Sequence, residues 1–238
     1  MLVNYLNLLI NIIYPPKCIV CKSDCMDANI LCSECFIKIS FITRPYCKKC
    51  GNSLKKMFGG CSELNCIYDK HTYSQVVSVF EYNDFSKKII TSFKFNDNFR
   101  LLKLFKSWLS YIISNVDYSD ITYIIPVPLH KTKLKIRGFN QSLILAKIVS
   151  KILGINYKNN ILVKIKNTEN QSDLNKSLRG KNLKEAFSVN LKYKKLIEDK
   201  KVLLIDDIIT TGSTVNECSK TLLNNGAKEI RVISLAKR

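Results

Sequence analysis

The segment from Lys201 to Val215, KVLLIDDIITTGSTV, constrains the fold of this chain more than any other. Val202 to Ile205 is a bare apolar run of the kind that forms a strand buried on both faces, and it ends in two adjacent carboxylates, Asp206 and Asp207. Thr210, Thr211, Gly212, Ser213 and Thr214 follow, and then a helical pattern from Val215 to Asn225. Such a turn offers hydroxyls and backbone N–H groups to an anion at a helix N-terminus, where the helix dipole favours negative charge. The carboxylates need a different partner. They repel an anion but accept hydrogen bonds from vicinal hydroxyls, or help to hold Mg2+ through water. Phosphate cradle and hydroxyl acceptor side by side suit a sugar phosphate. The competing reading, an ordinary strand and capped helix that binds nothing, does not explain two acids beside a hydroxyl-rich anion nest.

The rest of the C-terminal region alternates in the same way. Strands are predicted at Val76 to Phe80, Ile121 to Val127, Ile161 to Ile165, Val202 to Ile205 and Ile230 to Leu235. Helices are predicted at Phe85 to Phe95, Phe99 to Ile113 and Phe139 to Leu153. Bare apolar strands alternating with helices imply an α/β fold, a mainly parallel sheet covered on both faces. Ligands in such sheets sit beyond the carboxyl ends of the strands, where Asp206, Asp207 and the turn Val127-Pro128-Leu129-His130 both fall.

Cysteine usage marks a second module. Nine of the ten cysteines lie between Cys18 and Cys66. Cys18-x2-Cys21 with Cys32-x2-Cys35, and Cys47-x2-Cys50 with Cys61-x4-Cys66, give two near-repeated sets of four thiolates, each able to hold a structural zinc. A module this small lacks a core of its own, and zinc contributes on the order of 10 kcal/mol per site. With all four ligands from the protein, no position is left open for catalysis. His71 is an alternative to Cys66 as a ligand, Cys25 is left over, and Cys218 reads as a small buried thiol. The expected division is an N-terminal helix over 1–16, a double zinc ribbon over 17–72 and an α/β domain over 73–238.

Residues 1–13 carry an apolar helical stripe stopped by Pro15 and Pro16, too short to span a membrane and without the features of a signal peptide. Clustered reduced cysteines then point to the cytoplasm. The formal charge of +19 suggests a polyanion partner, although lysine outnumbers arginine in a way that base composition alone produces. Lys48, Lys49, Lys55 and Lys56 place part of this charge on the ribbon, as a nucleic-acid contact or a solvated face.

Two further motifs complete the pattern: Pro126-Val127-Pro128-Leu129-His130, and Arg137-Gly138-Phe139-Asn140-Gln141 opening the next helix. With the acid pair and threonine loop, they resemble the ComF family, also called the competence protein F or GntX-like family, in which a zinc ribbon precedes a type I phosphoribosyltransferase domain. The likeness continues through Lys166, Asn167, Thr168, Gln171, Leu174, Arg179, Asn182 and Phe187. It implies a site for 5-phosphoribosyl-1-pyrophosphate (PRPP) with Mg2+. Asp206 and Asp207 would meet the ribose hydroxyls, and Thr210, Thr211, Gly212, Ser213 and Thr214 the 5-phosphate. Val127, Pro128, Leu129, His130, Arg137, Lys166 and Arg179 would lie on the pyrophosphate side, with residues 164–179 as a closing loop. Lys164 and Lys166 stand where the family usually has arginine, and Thr132 where a basic residue is usual; lysine keeps the charge but loses the bidentate fork. Phosphoribosyl transfer to an unidentified acceptor is the expected activity. The family's competence label offers a different one, a non-catalytic PRPP or nucleotide binder that holds single-stranded DNA and meets DNA-uptake proteins.

Overall fold

A computed structural model describes residues 15–25, 30–54, 61, 66, 71–95, 100–167, 183 and 185–238. The expected N-terminal helix and Arg179, with Lys55, Lys56, Thr168, Gln171, Leu174 and Asn182, lie outside these residues. In chain order the elements are α1 (Ser33–Phe36), β1 (Gln75–Glu81), α2 (Asp84–Phe95), α3 (Leu101–Ile113), β2 (Tyr123–Pro126), α4 (Lys131–Arg137), α5 (Gln141–Leu153), β3 (Leu162–Lys164), β4 (Phe187–Val189), a 3-10 turn (Leu191–Leu196), β5 (Lys201–Ile209), α6 (Ser213–Asn224) and β6 (Glu229–Lys237).

β1, β6, β5 and β2 form one four-stranded sheet in that order, parallel throughout. The bare apolar runs are its central strands because each feeds two cores. Leu203 and Ile205 of β5, with Ile233 and Leu235 of β6, pack into a core shared with α2, α3, α5 and the first cysteine set. Val202 and Leu204, with Ile230 and Val232, pack on the other side with α6 and the β3–β4 hairpin. A strand buried on both faces has no polar face to show, which is why alternation is missing from the sequence.

The connections of β2 and β5 leave in opposite directions. β2 leads through α4 and α5 to Tyr157, which bridges Ile124 in parallel on the outer side of β2. β5 leads through α6 to β6 on its other side. The carboxyl ends of β2 and β5 therefore flank a topological switch point, the place where an open α/β sheet leaves a crevice for a ligand.

Three expectations change in detail. β5 does not stop at Ile205; the ladder with β6 continues through Asp206↔Ser234 to Ile209↔Lys237, so both acids lie within the strand. β2 is shorter than its apolar run, but Val127 N still donates to Ile205 O at 2.9 Å. The segment at Leu162 to Lys164 does form a strand, but it pairs antiparallel with Phe187–Val189 outside the main sheet. A three-residue apolar strand carries no signal of which partner it takes.

Among the described residues, no helix is long and apolar enough to cross a membrane. The first cysteine set is part of the main core: Cys18, Ile19, Leu31, Cys35 and Ile39 are buried with residues of α3. At the opposite end of the sheet from the acid pair, Asp120, Lys201, Glu229 and Arg231 form a closed set of ion pairs, with N–O distances of 2.7 to 3.2 Å.

Candidate PRPP site and metal clusters

Asp206 is buried at 7 % exposure, and its Oδ1 accepts hydrogen bonds from Ser142 Oγ at 3.0 Å and from the N–H of Asp207 at 2.9 Å. Burial, and then the charge of its neighbour Asp207, push its carboxyl up to about 8. Asp207 faces the other way. Its Oδ2 lies 2.7 Å from Lys94 Nζ, in the last turn of α2, and its Oδ1 accepts from Ile208 N at 2.9 Å. Burial raises this carboxyl too, but the Lys94 charge and hydrogen bond outweigh it and hold Asp207 below the usual carboxylate range. Two adjacent acids thus take opposite states, one carrying a proton near neutrality and one ionised. Together they can accept and donate hydrogen bonds to a diol.

The loop that follows is rich in hydroxyls and leads into a helix N-terminus. Gly212, at φ +78°, is the N-cap of α6, so the cap has no side-chain oxygen to offer the first turn. Thr211 Oγ1 and Ser213 Oγ lie 2.8 Å apart beside it. Lys237, buried at 7 %, donates from Nζ to Thr210 O at 3.1 Å and brings a cation to the loop. Thr214 falls within the first turn of α6, since the helix begins at Ser213.

On the β2 side, Asn140 ties the two motifs together: its Nδ2 donates to Val127 O at 3.0 Å, while its Oδ1 caps α5 through Ser142 N at 3.0 Å. Pro128 and Leu129 are half-buried in the turn. His130 serves as the cap of α4, its Nδ1 accepting from Thr132 N at 3.3 Å. Arg137 donates from Nη1 to Gln141 Oε1 at 2.9 Å, and its charge also helps to keep Asp207 ionised. Lys166, in contrast, is exposed and lies 3.8 Å from Glu185 Oε2.

Several residues here escape the sequence reading. Lys94 and Ser142 partner the two acids from 113 and 64 residues away. Lys133 also escapes it, its ammonium pKa held down by burial and by the Arg137 charge; Lys164, which the resemblance already names, is held down by burial and by Lys133. Burial and a neighbouring cation together lower both lysines, so an anion brought between them would be favoured. Lys133 carries no local signal beyond belonging to a run of basic residues on α4.

The cysteine sets meet the geometric demand of a metal. In each of Cys18, Cys21, Cys32, Cys35 and Cys47, Cys50, Cys61, Cys66, the four sulfurs all lie within 4.8 Å of one another. Zn–S bonds of about 2.3 Å in a tetrahedron put sulfurs about 3.8 Å apart. The Cys21–Cys32 and Cys47–Cys66 separations are 3.6 Å, and Cys50–Cys61 is 3.4 Å. Burial pushes the thiols of Cys35, Cys50 and Cys66 up, whereas backbone or side-chain hydrogen bonds lower those of Cys18, Cys21 and Cys47, so each cluster mixes readily ionised thiols with ones that need a cation to offset their charge. His71 belongs to neither cluster and stacks on Tyr73 with ring centroids 5.1 Å apart.

Two four-thiolate knuckle sites joined to a parallel α/β domain define a zinc-ribbon protein with a phosphoribosyltransferase-type domain. Residues 9–66 match the double zinc ribbon domain and residues 140–238 the phosphoribosyl transferase domain. Competence protein F of Haemophilus influenzae is 34% identical over 234 residues, 93% of this chain and 96% of that one. Competence protein ComFC of Bacillus subtilis is 31% identical over 200 residues, 82% of this chain and 79% of that one. DNA utilization protein YhgH of Escherichia coli is 27% identical over 214 residues, 87% of this chain and 90% of that one. The chain belongs to the ComF, or competence protein F, family.

Proposed function

We propose that this protein binds PRPP at the carboxyl ends of β2 and β5 and transfers its phosphoribosyl group to an acceptor. The observation that carries this reading is the split acid pair, with buried Asp206 bonded to Ser142 and Asp207 paired to Lys94, next to a start of α6 that has no side-chain cap. The pair would hold the ribose 2- and 3-hydroxyls, and Thr210 to Thr214 the 5-phosphate. Val127 to His130 would shape the pyrophosphate side, with Lys133, Arg137 and Lys164 supplying its charge and Lys166 and Arg179 as further cations for it. An acceptor nitrogen would attack the anomeric carbon as the bond from that carbon to the pyrophosphate oxygen breaks. The cations stabilise the charge developing on the leaving pyrophosphate, and orientation of the ribose lines up the departing bond. Mg2+ bound with the substrate would neutralise pyrophosphate; ligand phosphate oxygens, with carboxylates near by to hold it through water, suit such a hard cation.

The eight cysteines would hold two structural zinc ions, with 17–72 as the ribbon and 73–238 as the PRPP-binding domain, in a cytoplasmic setting that keeps the thiols reduced. Pyrophosphate release from PRPP and Mg2+ is to be measured against a panel of nitrogen acceptors. Release with one of them, lost in Asp207→Asn, is the expected result. PRPP binding without release by any acceptor favours a second reading, supported by the exposed Lys48 and Lys49 of the second knuckle and the net charge of +19. In it the protein is a PRPP- or nucleotide-responsive binder of single-stranded DNA that works with DNA-uptake proteins, and its DNA affinity falls steeply with salt.

A further inference from the structure

Residues 71–74, which follow the second cysteine cluster in sequence, are anchored on the start of α6. Thr72 donates from its N–H to Asn216 Oδ1 at 2.8 Å, and from Oγ1 to Asn216 O at 2.8 Å and Oδ1 at 2.9 Å. Asn216 lies in the first turn of α6, where its own N–H donates to Gly212 O at 2.8 Å. The next residue, Tyr73, is buried at 5 %, and its hydroxyl would be 3.4 Å from a Cβ placed on Gly212. Ser74 then fastens the segment to β6, donating from N to Ile230 O at 2.8 Å and from Oγ to Glu229 Oε1 at 2.6 Å. The cysteine knuckle holds the other side. Lys48 O, between Cys47 and Cys50, accepts from Val76 N at 2.9 Å. Gly51 turns at φ +78° so close to β1 that a Cβ there would meet Val76 Cγ1 at 3.2 Å.

Neither α6 nor its cap needs these contacts to be a helix, and the capping residue itself contributes no side-chain bond. What they fix is the placement of the first turn relative to the ribbon. We infer that Thr72 is a positioning residue for the phosphate loop, and that through it the metal-bound Cys47–Cys66 cluster sets the affinity of the loop for its phosphate ligand. This rests on the PRPP reading for the identity of the ligand, and on the hydrogen bonds alone for the positioning.

The test compares wild type with Thr72→Val, Thr72→Ser, Cys66→Ser and the Thr72→Val/Cys66→Ser double variant. PRPP affinity is measured by calorimetry, zinc content by metal analysis, and exchange of the amides at 213–217 by mass spectrometry. Thr72→Val removes the hydroxyl bonds and should weaken PRPP binding by about tenfold and speed exchange at 213–217, at unchanged zinc content. Thr72→Ser keeps the hydroxyl and should restore both. Cys66→Ser should lose one zinc and weaken PRPP binding, by an increment much reduced when Thr72 is already Val, because coupled residues do not add. Unchanged exchange and affinity in Thr72→Val would overturn the positioning role, and fully additive losses would overturn the link to the metal cluster. A wild type that binds no PRPP would instead overturn the ligand assignment, and the exchange data would still decide the role of Thr72.

Discussion

The two ends of β5 are charged in different ways. At its start, Lys201 bridges Asp120 and Glu229, and Arg231 of the neighbouring strand bridges the same two acids, so two cations and two anions cancel. At its end, Asp206 and Asp207 stand side by side with Lys94 as their ion-pair partner among the described residues, and burial, then the Asp207 charge, raises the Asp206 carboxyl to about 8. On α4 and β3, burial and the Arg137 charge hold the Lys133 ammonium pKa down, and burial and the Lys133 charge do the same to Lys164, which Cys218 and Asp206 offset only in part. The first arrangement is complete without a ligand and staples the loop before β2 to β5 and β6. The second separates acids from cations across a crevice, an arrangement that a sugar phosphate, with hydroxyls at one end and anionic phosphates at the other, would complete.

If that contrast is sound, substitutions at the two ends should have opposite signatures. Asp207→Asn takes the ionised acid from the ribose side and strands Lys94; PRPP affinity measured by calorimetry should fall by about 100-fold. Lys94→Met leaves Asp207 buried without its cation. Its carboxyl should titrate higher, and PRPP affinity at neutral pH should fall by about tenfold, recovering in part as pH rises and Asp207 ionises again. Asp120→Asn, at the amino end, should leave PRPP affinity within about twofold of wild type, its loss confined to a small drop in the thermal unfolding midpoint. A loss of binding in Asp120→Asn as large as in Asp207→Asn would break the comparison.

Proton linkage sharpens it further. The folded-state value of Asp206, about 8, lies above that of an ordinary carboxylate, so the folded protein keeps a proton that the unfolded chain gives up. Its contribution to stability is therefore full at acid pH and declines as pH rises toward and through about 8. Asp120, lowered first by the Lys201 hydrogen bond, and Glu229, lowered first by Ser74, behave in reverse: their contributions are full above the ordinary carboxylate range and are lost as pH falls through the lowered values. Asp207 follows them, because Lys94 holds it low. Unfolding midpoints recorded from acid to alkaline pH should show Asp206→Asn flattening the decline between the ordinary carboxylate range and about 8, and Asp120→Asn acting chiefly on the acid limb.

Much of this was legible in the chain because it is local. The apolar run, the acid pair and the hydroxyl loop occupy consecutive residues, and the spacing of the cysteines already pairs the knuckles that the fold brings together. The motif at Arg137 and Gly138 reads as the opening of a helix; instead Arg137 ends α4 with Gly138 as its C-cap, and Asn140 caps α5. What the sequence hides is long-range. Lys94, Ser142 and Thr72 each meet their partners across 64 to 144 residues. Nothing in the neighbourhood of a lysine near a helix end, or of a threonine after a cysteine, distinguishes it from a solvated residue. The length of β5 was hidden for a related reason: acids rarely continue a buried strand, and Asp206 does so only because Ser142 and the backbone accept the task of partnering it.

The central claim is that the split acid pair holds the ribose of PRPP. Calorimetric titration of PRPP with Mg2+ into wild type and into the Asp206→Asn/Asp207→Asn double variant, both with full zinc content, tests it most directly. The account predicts saturable binding by wild type that is absent from the variant. Equal binding by the two proteins, or none by a fully metallated wild type, would contradict it.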